Sequence, residues 1–521
     1  MLFTGFTIQS VPQGQKDNDS VKKMLQRVSG NMQQTQQTIA VQQVQPPPGA
    51  PAQVARGAEG TMQLNSLAAL QEQGNAYNPE WEALELRVQN ARTPEEIEGV
   101  GREVLVKVPS LPVEQVAELL HKMDGMVRQY HGDFLSELSK LLASRLKELT
   151  STQFALLMST FILWSVETRE RFAEFAKDFF GAACLEMPSR LMELAPHELN
   201  CCLAAFMSLG HVEHKFFIAV GRSALARHKT FGPVQLSALL TILSEMRLVH
   251  IELFNAAAQV ISPRVRELRP TDVMRVLRAF AKCSLPHESL CQAVSDDVTS
   301  RFKDRGPGAG FTCENLCEIA WMLCVLQAYH EDTFRLMFRQ LAESPRIAAD
   351  ALCQLYECHL VLDSEQKQAY SRYRIEDATL QVLQDHYKEN RKDERRCSER
   401  QRNDVASVLK SLVDGSVHVN HRTSSGLLVD VAALRKRSST DGFIHVDLDS
   451  AVTVVRSLDQ DETSGAALVT EGPVALRRRI LLKDGLRLVT VRENDWRDLD
   501  DSKDKRRYLR SLLSNLGDVL E

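Results

Sequence analysis

The stretch that decides the fold of the C-terminal part runs from Gly472 to Leu516: GPVALRRRILLKDGLRLVTVRENDWRDLDDSKDKRRYLRSLLSNL. Its first part alternates apolar side chains with arginines at helical spacing, which indicates an amphipathic helix. Gly485 then ends this helix, as a glycine at this place typically does. The β-branched run from Leu486 to Val491 predicts a short strand. A closing helix is indicated by an apolar stripe formed by Tyr508, Leu509, Leu512, Leu513 and Leu516.

The order of these elements resembles the RAP domain, an RNA-binding module. RAP domains occur in organellar RNA-processing proteins of apicomplexans and their relatives, in algae, and in the FASTK family of animals. The matching positions are Gly472, Leu476, Arg477, Arg478, Leu481, Gly485, Val489, Trp496, Tyr508, Leu509 and Leu512. The resemblance implies a small α/β domain of the restriction-endonuclease-like type. It also implies RNA binding in an organelle, the mitochondrion first and the plastid second.

Length and composition fit a soluble globular protein of more than one domain. The chain has 521 residues, enough for roughly two to four domains. Its formal net charge is −5, so any basic surface for phosphates must be local. Eleven cysteines show neither a C-x-x-C pair nor zinc-ligand spacing, which favours small core residues in a reducing compartment. No apolar run approaches the roughly 20 residues that a membrane-spanning helix needs.

Residues 1–75 are predicted to be a disordered tail. The segment is rich in glutamine and contains three consecutive prolines, Pro46, Pro47 and Pro48, with little that could form a core. An organellar transit peptide is rich in arginine and poor in acids. Here Asp17 precedes the first arginine, Arg27, so a targeting signal is weak. The tail is interpreted either as a trimmed targeting segment or as an interaction segment.

Residues 78–362 are predicted to form an α-solenoid of helix-pair repeats. Apolar residues recur at offsets 0, +4 and +7, which lie on one face of a helix. The sets are Val116/Leu120/Met123, Phe154/Met158/Phe161, Leu199/Leu203/Phe206, Leu236/Leu240/Leu243, Val273/Leu277/Phe280, Leu316/Ala320/Leu323 and, more weakly, Ala351/Leu355/Cys358. The first six sets begin 38, 45, 37, 37 and 43 residues apart. This period resembles the heptatricopeptide and octotricopeptide repeats that accompany RAP domains; an irregular helical bundle is the alternative.

Two further segments follow the repeats. Residues 363–412 are predicted to be a charged helical linker, because charges of alternating sign indicate a solvated helix face. Residues 413–521 are assigned to the RAP-like domain. In it, β-rich runs at 426–434 and 442–450 predict strands. The fold class is therefore mainly α, with a small α/β domain at the C-terminal end.

Three aspartates are the candidates for a metal-dependent nuclease. The resemblance aligns Asp430, Asp447 and Asp449 with the carboxylates that hold a divalent metal in the restriction-endonuclease-like fold. Three converging carboxylates could bind Mg²⁺ and activate water. However, Asp449 stands where that family has a lysine. The alternative is that these acids face solvent or pair with the basic helix at 475–483.

The candidate RNA ligands are cations in three clusters, because guanidinium groups match phosphate geometry. They are Arg435, Lys436 and Arg437; Arg477, Arg478, Arg479, Lys483 and Arg487; and Lys503, Lys505, Arg506 and Arg507. Five aspartates are interleaved with the last cluster and lower its potential: Asp495, Asp498, Asp500, Asp501 and Asp504. Trp496 and Tyr508 are predicted to be core residues rather than base-stacking platforms.

Together these observations favour an organellar, mitochondrial RNA-binding protein acting in RNA processing, RNA stability or ribosome function. A scaffold subunit of the mitochondrial ribosome, contacting rRNA and proteins, is one alternative. A Mg²⁺-dependent endoribonuclease is the other. An enzyme is not expected, and no cofactor is expected unless the nuclease alternative holds. The expected partners are an rRNA or organellar transcript and proteins of a ribonucleoprotein complex.

Overall fold

The fold was analysed in a computed structural model that describes most of the chain after residue 78. The described ranges are 79–123, 132–168, 176–208, 214–305, 310–342, 347–391, 397–413, 415–434, 443–459 and 467–514. The predicted tail at 1–75 and the basic cluster Arg435, Lys436 and Arg437 lie outside these ranges. None of the described helices is long and apolar enough to cross a membrane.

Consecutive helices build the described chain up to residue 410. They are α1 Pro79–Asn90, α2 Pro94–Lys107, α3 Val113–Lys122, α4 Gly132–Arg145, α5 Ser151–Thr168, α6 Lys177–Arg190, α7 Pro196–Ser208, α8 His214–Ala226, α9 Pro233–Glu245, α10 Ile251–Ile261, α11 Pro270–Lys282, α12 Glu288–Arg305, α13 Cys313–Val325, α14 Glu331–Ala342, α15 Ala349–Glu365, α16 Lys367–Tyr370, α17 Asp377–Asn390 and α18 Glu399–Lys410. Proline fits the first turn of a helix because no backbone donor is needed there. It opens α2, α9 and α11 accordingly.

Within each compact unit, rows form in which a helix packs on the helix two places along the chain. In the unit within residues 12–216, α3, α5 and α7 form one row and α4 and α6 a second. In the unit within residues 217–521, α9, α11, α13, α15 and α17 form one row, and α10, α12 and α14 the other. All residues of the seven predicted apolar sets are buried. The prediction of buried helix stripes is therefore confirmed.

Arginines recur ahead of the apolar sets, and Arg145, Arg190 and Arg301 bind carbonyls of the preceding helix pair. An arginine stands nine residues before each of four successive apolar sets: Arg145, Arg190, Arg227 and Arg264. Arg301 follows, and the successive spacings of the five arginines are 45, 37, 37 and 37 residues. Arg145 Nη1 donates to the Val108 carbonyl at 2.6 Å. Arg190 Nη1 donates to the Leu149 carbonyl at 2.6 Å, and Arg301 Nη2 to Leu268 at 2.7 Å. These charge-assisted bonds satisfy carbonyls in the turns between helices.

The C-terminal region is a mixed sheet with three helices. Its elements are β2 Val417–Arg422, β3 Leu428–Leu434, β4 Phe443–Asp449, β5 Val454–Ser457, β6 Leu468–Thr470, α19 Gly472–Lys483, β7 Arg487–Arg492, α20 Glu493–Arg497 and α21 Ser502–Ser514. The four-stranded sheet has the order β2-β3-β4-β7; β3 is antiparallel to β2 and β4, whereas β4 and β7 are parallel. The strands and helices predicted for this region are confirmed. Gly485, at φ +81°, ends α19, and Leu486 N–H bonds back to the Leu481 carbonyl at 3.0 Å.

The two faces of this sheet differ in chemistry because side chains alternate along each strand. One face is apolar: Val431, Ile444 and Val446 pack against α18, α20 and α21, with Trp496 and Leu509 in the same core. The core position predicted for Trp496 is confirmed. The opposite face carries Asp430 on β3 and Asp447 and Asp449 on β4, all buried. Helix α19 supplies the polar partners for this second face.

A second, three-stranded sheet, in which β1 is Leu248–Val249 and the order is β1-β5-β6, joins the C-terminal region to the helices of the same unit. The short strand β1 lies between α9 and α10 and pairs in parallel with β5. Asp459 accepts the Ile251 N–H at 2.9 Å, at the first turn of α10, and its other oxygen lies 3.0 Å from His250 Nδ1. The segment 363–412 is packed too, since Tyr370, Tyr387 and Val405 are buried.

Candidate nucleic-acid interface and buried ion-pair network

The crossover helix α19 presents three consecutive arginines to three different environments. Successive residues of a helix point about 100° apart, so Arg477, Arg478 and Arg479 cannot share one face. Arg477 is buried and points at the sheet. Its Nη2 donates to both Asp447 oxygens, at 2.6 and 2.5 Å, and its Nη1 to the Leu428 carbonyl at 2.5 Å. This arginine ties the helix to two strands.

Arg478 completes the network on the same face of the sheet. Its Nε donates to Asp447 at 2.7 Å and its Nη2 to Asp449 Oδ1 at 2.7 Å. Asp449 also accepts from the Thr453 hydroxyl at 3.3 Å. Two guanidinium groups therefore neutralise two buried carboxylates through planar, charge-assisted hydrogen bonds.

Asp430 is the third carboxylate, opposite Asp447 on the neighbouring strand. It accepts the Leu448 N–H at 2.8 Å and lies 3.4 Å from the Cys397 thiol. Burial, reinforced by the negative charge of Asp447, raises the pKa of Asp430 to about 6. Removing a carboxylate from water disfavours its charged form, and a like charge nearby adds to this effect. The Asp430 carboxyl group is therefore largely protonated when the pH falls below about 6.

This arrangement does not suit a divalent metal. Both oxygens of Asp447 already accept from arginine, and one oxygen of Asp449 does too. A Mg²⁺ ion needs free carboxylate oxygens and room for its waters. No group of three metal-ligating side chains occurs among the described residues. For Asp447 and Asp449, the hydrogen bonds show the alternative interpretation, in which these acids pair with the basic helix.

Arg479 points away from the sheet, into the helical rows. Its Nε donates to Glu365 at 2.6 Å and its Nη2 to the Cys324 carbonyl at 2.6 Å, so it joins α19 to α13 and α15. Gly472, at the start of the same helix, permits this close approach. A Cβ atom on Gly472 would lie 1.8 Å from the Ala281 carbonyl oxygen of α11. The three arginines thus anchor the sheet and the helical rows to α19.

The other predicted cations are divided between structural and exposed positions. Lys505 donates to Asp404 at 2.8 Å and lies over the Trp496 ring at 5.3 Å, so it joins α21 to α18 and α20. Arg487 is half-buried on β7, whereas Lys483 is exposed at the end of α19. Arg507 is exposed and pairs with Asp504 at 3.0 Å. Lys505 is therefore committed to the fold, and Lys483 remains open to solvent.

One face of α21 carries an exposed row of cations, which we call the cationic face. Lys503, Arg506, Arg507 and Arg510 are all exposed and stand at offsets 0, +3, +4 and +7. Side chains at this spacing lie together on one side of a helix. Within the described part of the chain, only Arg507 of these four forms an ion pair. The opposite side of α21 is buried through Leu509 and Leu513.

The interleaved aspartates also have local structural tasks. Asp501 Oδ1 accepts the Asp504 N–H at 2.7 Å in the first turn of α21. Negative charge in a first turn is favourable because the helix dipole is positive there. Tyr508, a predicted core residue, is half-buried and lies 3.3 Å from Asp495. The acids therefore gather before and at the start of the helix, and the cationic face extends past them.

No protein-family model matches the chain, and no curated protein is significantly similar to it.

Proposed function

We propose that this protein binds RNA, with the cationic face of α21 as the contact to phosphates. The observation that carries the proposal is the row of four exposed cations on one helix side, with Lys503, Arg506 and Arg510 unpaired among the described residues. Phosphate recognition needs clustered Lys and Arg, and a chain with net charge −5 must concentrate them locally. Arg477, Arg478 and Arg479 are left out of this interface because internal acceptors occupy them.

The two finer fold assignments belong to the same proposal. The rows within each unit, in which a helix packs on the helix two places along the chain, support an α-solenoid of helix-pair repeats. The parallel β4–α19–β7 crossover and acidic residues on the neighbouring strands β3 and β4 support a restriction-endonuclease-like RAP domain. A role in a mitochondrion rests on the resemblance to RAP domains alone. The occupied carboxylates give no support to the endoribonuclease alternative.

Charge reversal on α21 tests the proposal. The variant Lys503→Glu, Arg506→Glu, Arg510→Glu removes three exposed cations. The matched control Arg266→Glu, Lys303→Glu, Lys367→Glu makes the same charge change at exposed positions of the same unit. Affinity for an unstructured oligoribonucleotide is measured by fluorescence anisotropy against salt concentration.

The α21 variant should bind the oligoribonucleotide at least about tenfold more weakly. Its slope of log K against log salt concentration should be shallower by about 2, because each of the three lost phosphate contacts contributes roughly 0.7. The control should keep most of the wild-type affinity and slope. Equal losses in both variants would mean that only overall charge matters and would refute this interface. Unchanged binding by the α21 variant would refute it as well.

A scaffold subunit of the mitochondrial ribosome is the second candidate. The observation that favours it lies in the first unit, where Leu185 and Met192, seven residues apart, are 80% and 64% exposed. Large apolar side chains that are exposed to water are available for contacts with other proteins. Sedimentation of an organelle extract on a sucrose gradient, with and without RNase, separates the two. Migration with large particles supports the scaffold; a light, RNase-sensitive complex supports a transcript-binding protein.

A further inference from the structure

Four rings lie together where strand β2 forms the edge of the sheet. We call His418, His421, Phe443 and His445 the ring cluster. The His421 and Phe443 rings are 4.5 Å apart and inclined by 31°, close to a stacked pair. His418 lies 6.0 Å from Phe443, and His445 lies 5.6 Å from His421. The cluster thus brings together side chains of β2 and β4, the two strands that flank β3 in the sheet.

The cluster is open on one side and has a polar floor. His418 is exposed, whereas His421 and Phe443 are half-buried. His445 is only 2% exposed, and its Nδ1 atom has no hydrogen-bond partner among the described residues. The Nδ1 atom is itself buried, so His445 closes the bottom of the cluster, and the accessible ring faces belong to His418, His421 and Phe443.

Two histidines of the ring cluster, His421 and His445, carry little charge at neutral pH. Burial, together with the neighbouring His421, lowers the pKa of His445 to about 4. Burial and His418 also lower the pKa of His421 below the usual value for histidine. His421 and His445 are therefore largely neutral, and the rings of the cluster present faces inclined to one another by 31° to 67°. A neutral ring face stacks on the face of a base, whereas a phosphate needs positive charge.

We propose that the ring cluster stacks an unpaired nucleobase of the bound RNA. This inference rests on the proposed function, because it assigns the base contact of the same RNA-binding protein. Single-stranded RNA exposes base faces, and aromatic or histidine side chains are common partners for them.

The base contact and the phosphate contact lie on opposite sides of the sheet. Ile444 and Val446 face the core that α21 covers. His445 stands between them, so alternation places it on the other face. Losses of affinity at the two sites should accordingly be independent, as expected for positions without shared partners.

Ring-free and ring-retaining variants of the full chain test the proposal. His421→Leu with Phe443→Leu removes both flat rings but keeps apolar volume. His421→Phe with Phe443→Tyr keeps the rings. His418→Ala, at an exposed position, gives a third variant with little risk to folding. Each is measured by anisotropy with oligoadenylate and with an abasic oligonucleotide that retains the phosphates but has no bases.

The ring-free variant should bind oligoadenylate about tenfold more weakly, as expected for one lost stacking contact. Its salt slope should not change, the ring-retaining variant should bind like the wild type, and His418→Ala should show a smaller loss. On the abasic strand, wild-type and ring-free proteins should bind equally.

Wild-type affinity of the ring-free variant for oligoadenylate would overturn the ring-cluster proposal but leave the α21 interface intact. If the wild-type protein bound neither oligonucleotide, the proposed RNA function itself would fail. A circular-dichroism melt identifies a ring-free protein that is unfolded, in which case His418→Ala decides the outcome.

Discussion

Removing Arg477 should open the C-terminal sheet, because this residue neutralises a fully buried charge. In Arg477→Met the apolar part of the side chain is kept, but the two hydrogen bonds to Asp447 and the one to the Leu428 carbonyl are lost. Asp447 is 0% exposed, so water cannot replace the missing donors. It keeps the bond from Arg478 Nε.

The expected cost can be bounded from these contacts. Breaking a buried ion pair by removing one partner typically costs about 3–5 kcal/mol. Because Arg478 still compensates Asp447, we expect the low end, about 3 kcal/mol. At 1.4 kcal/mol for each tenfold change, the population of the locally opened sheet should rise about a hundredfold.

Hydrogen exchange followed by mass spectrometry measures this opening locally. Backbone amides of β3, β4 and α19 should exchange about a hundredfold faster in Arg477→Met, if they exchange through sub-global opening. Peptides from the helices before residue 217 should show no change, since they belong to the other compact unit. A local measurement is needed because a chain with two units need not unfold in one step.

Two variants separate the buried pair from other effects. Lys483→Met removes an exposed cation from the same helix. It should change the free energy of opening, obtained from the exchange rates, by less than about 0.5 kcal/mol. Arg477→Met combined with Asp447→Leu removes both buried charges and should recover much of the loss. Wild-type exchange of the β4 amides in Arg477→Met would refute the reasoning, as would an equal effect of Lys483→Met.

Two further substitutions test the same region. The pKa of Asp430 is raised to about 6, so between about pH 4 and pH 6 the folded chain holds a proton that the unfolded chain has lost, and stability falls as pH rises. Asp430→Asn should remove this fall in stability and stabilise the sheet by about 1–3 kcal/mol at pH 7. The free energy of opening is measured by hydrogen exchange at about pH 4 and at pH 7, and a pH dependence like that of the wild type would contradict this prediction. Gly472→Ala should cost about 3 kcal/mol or more at α11 and α19, since its Cβ would lie 1.8 Å from the Ala281 oxygen. The control is Gly99→Ala, because nothing lies within 4 Å of a Cβ atom added at this helical glycine. It should be neutral or stabilising. Equal destabilisation by the two substitutions would contradict the reasoning.

The run Arg477, Arg478 and Arg479 illustrates what a charge pattern leaves open. In the sequence it indicates a basic surface and an RNA contact. In the structure the 100° turn between successive helix residues sends each guanidinium to a different acceptor. The acceptors on β4 and on α13 and α15 lie 29 to 155 residues away along the chain. No local pattern contains that information.

The sequence by itself determined the elements, because periodicity is a local property. The spacing of apolar residues predicted the buried helix stripes, and β-branched runs with glycines predicted β3, β4 and β7. The same sequence carries the arginine repeat from Arg145 to Arg301, which periodicity analysis of apolar residues alone did not detect.

Only the tertiary structure decided which charges are buried and which remain open to a ligand. The pairing of β1 with β5 and the contact of Gly472 with α11 depend on long-range packing that short sequence windows do not encode. The ring cluster likewise arises because β2 and β4 flank β3, which brings His421 and Phe443 together. Burial then sets the charge of each group, since desolvation acts through the folded surroundings rather than through sequence neighbours.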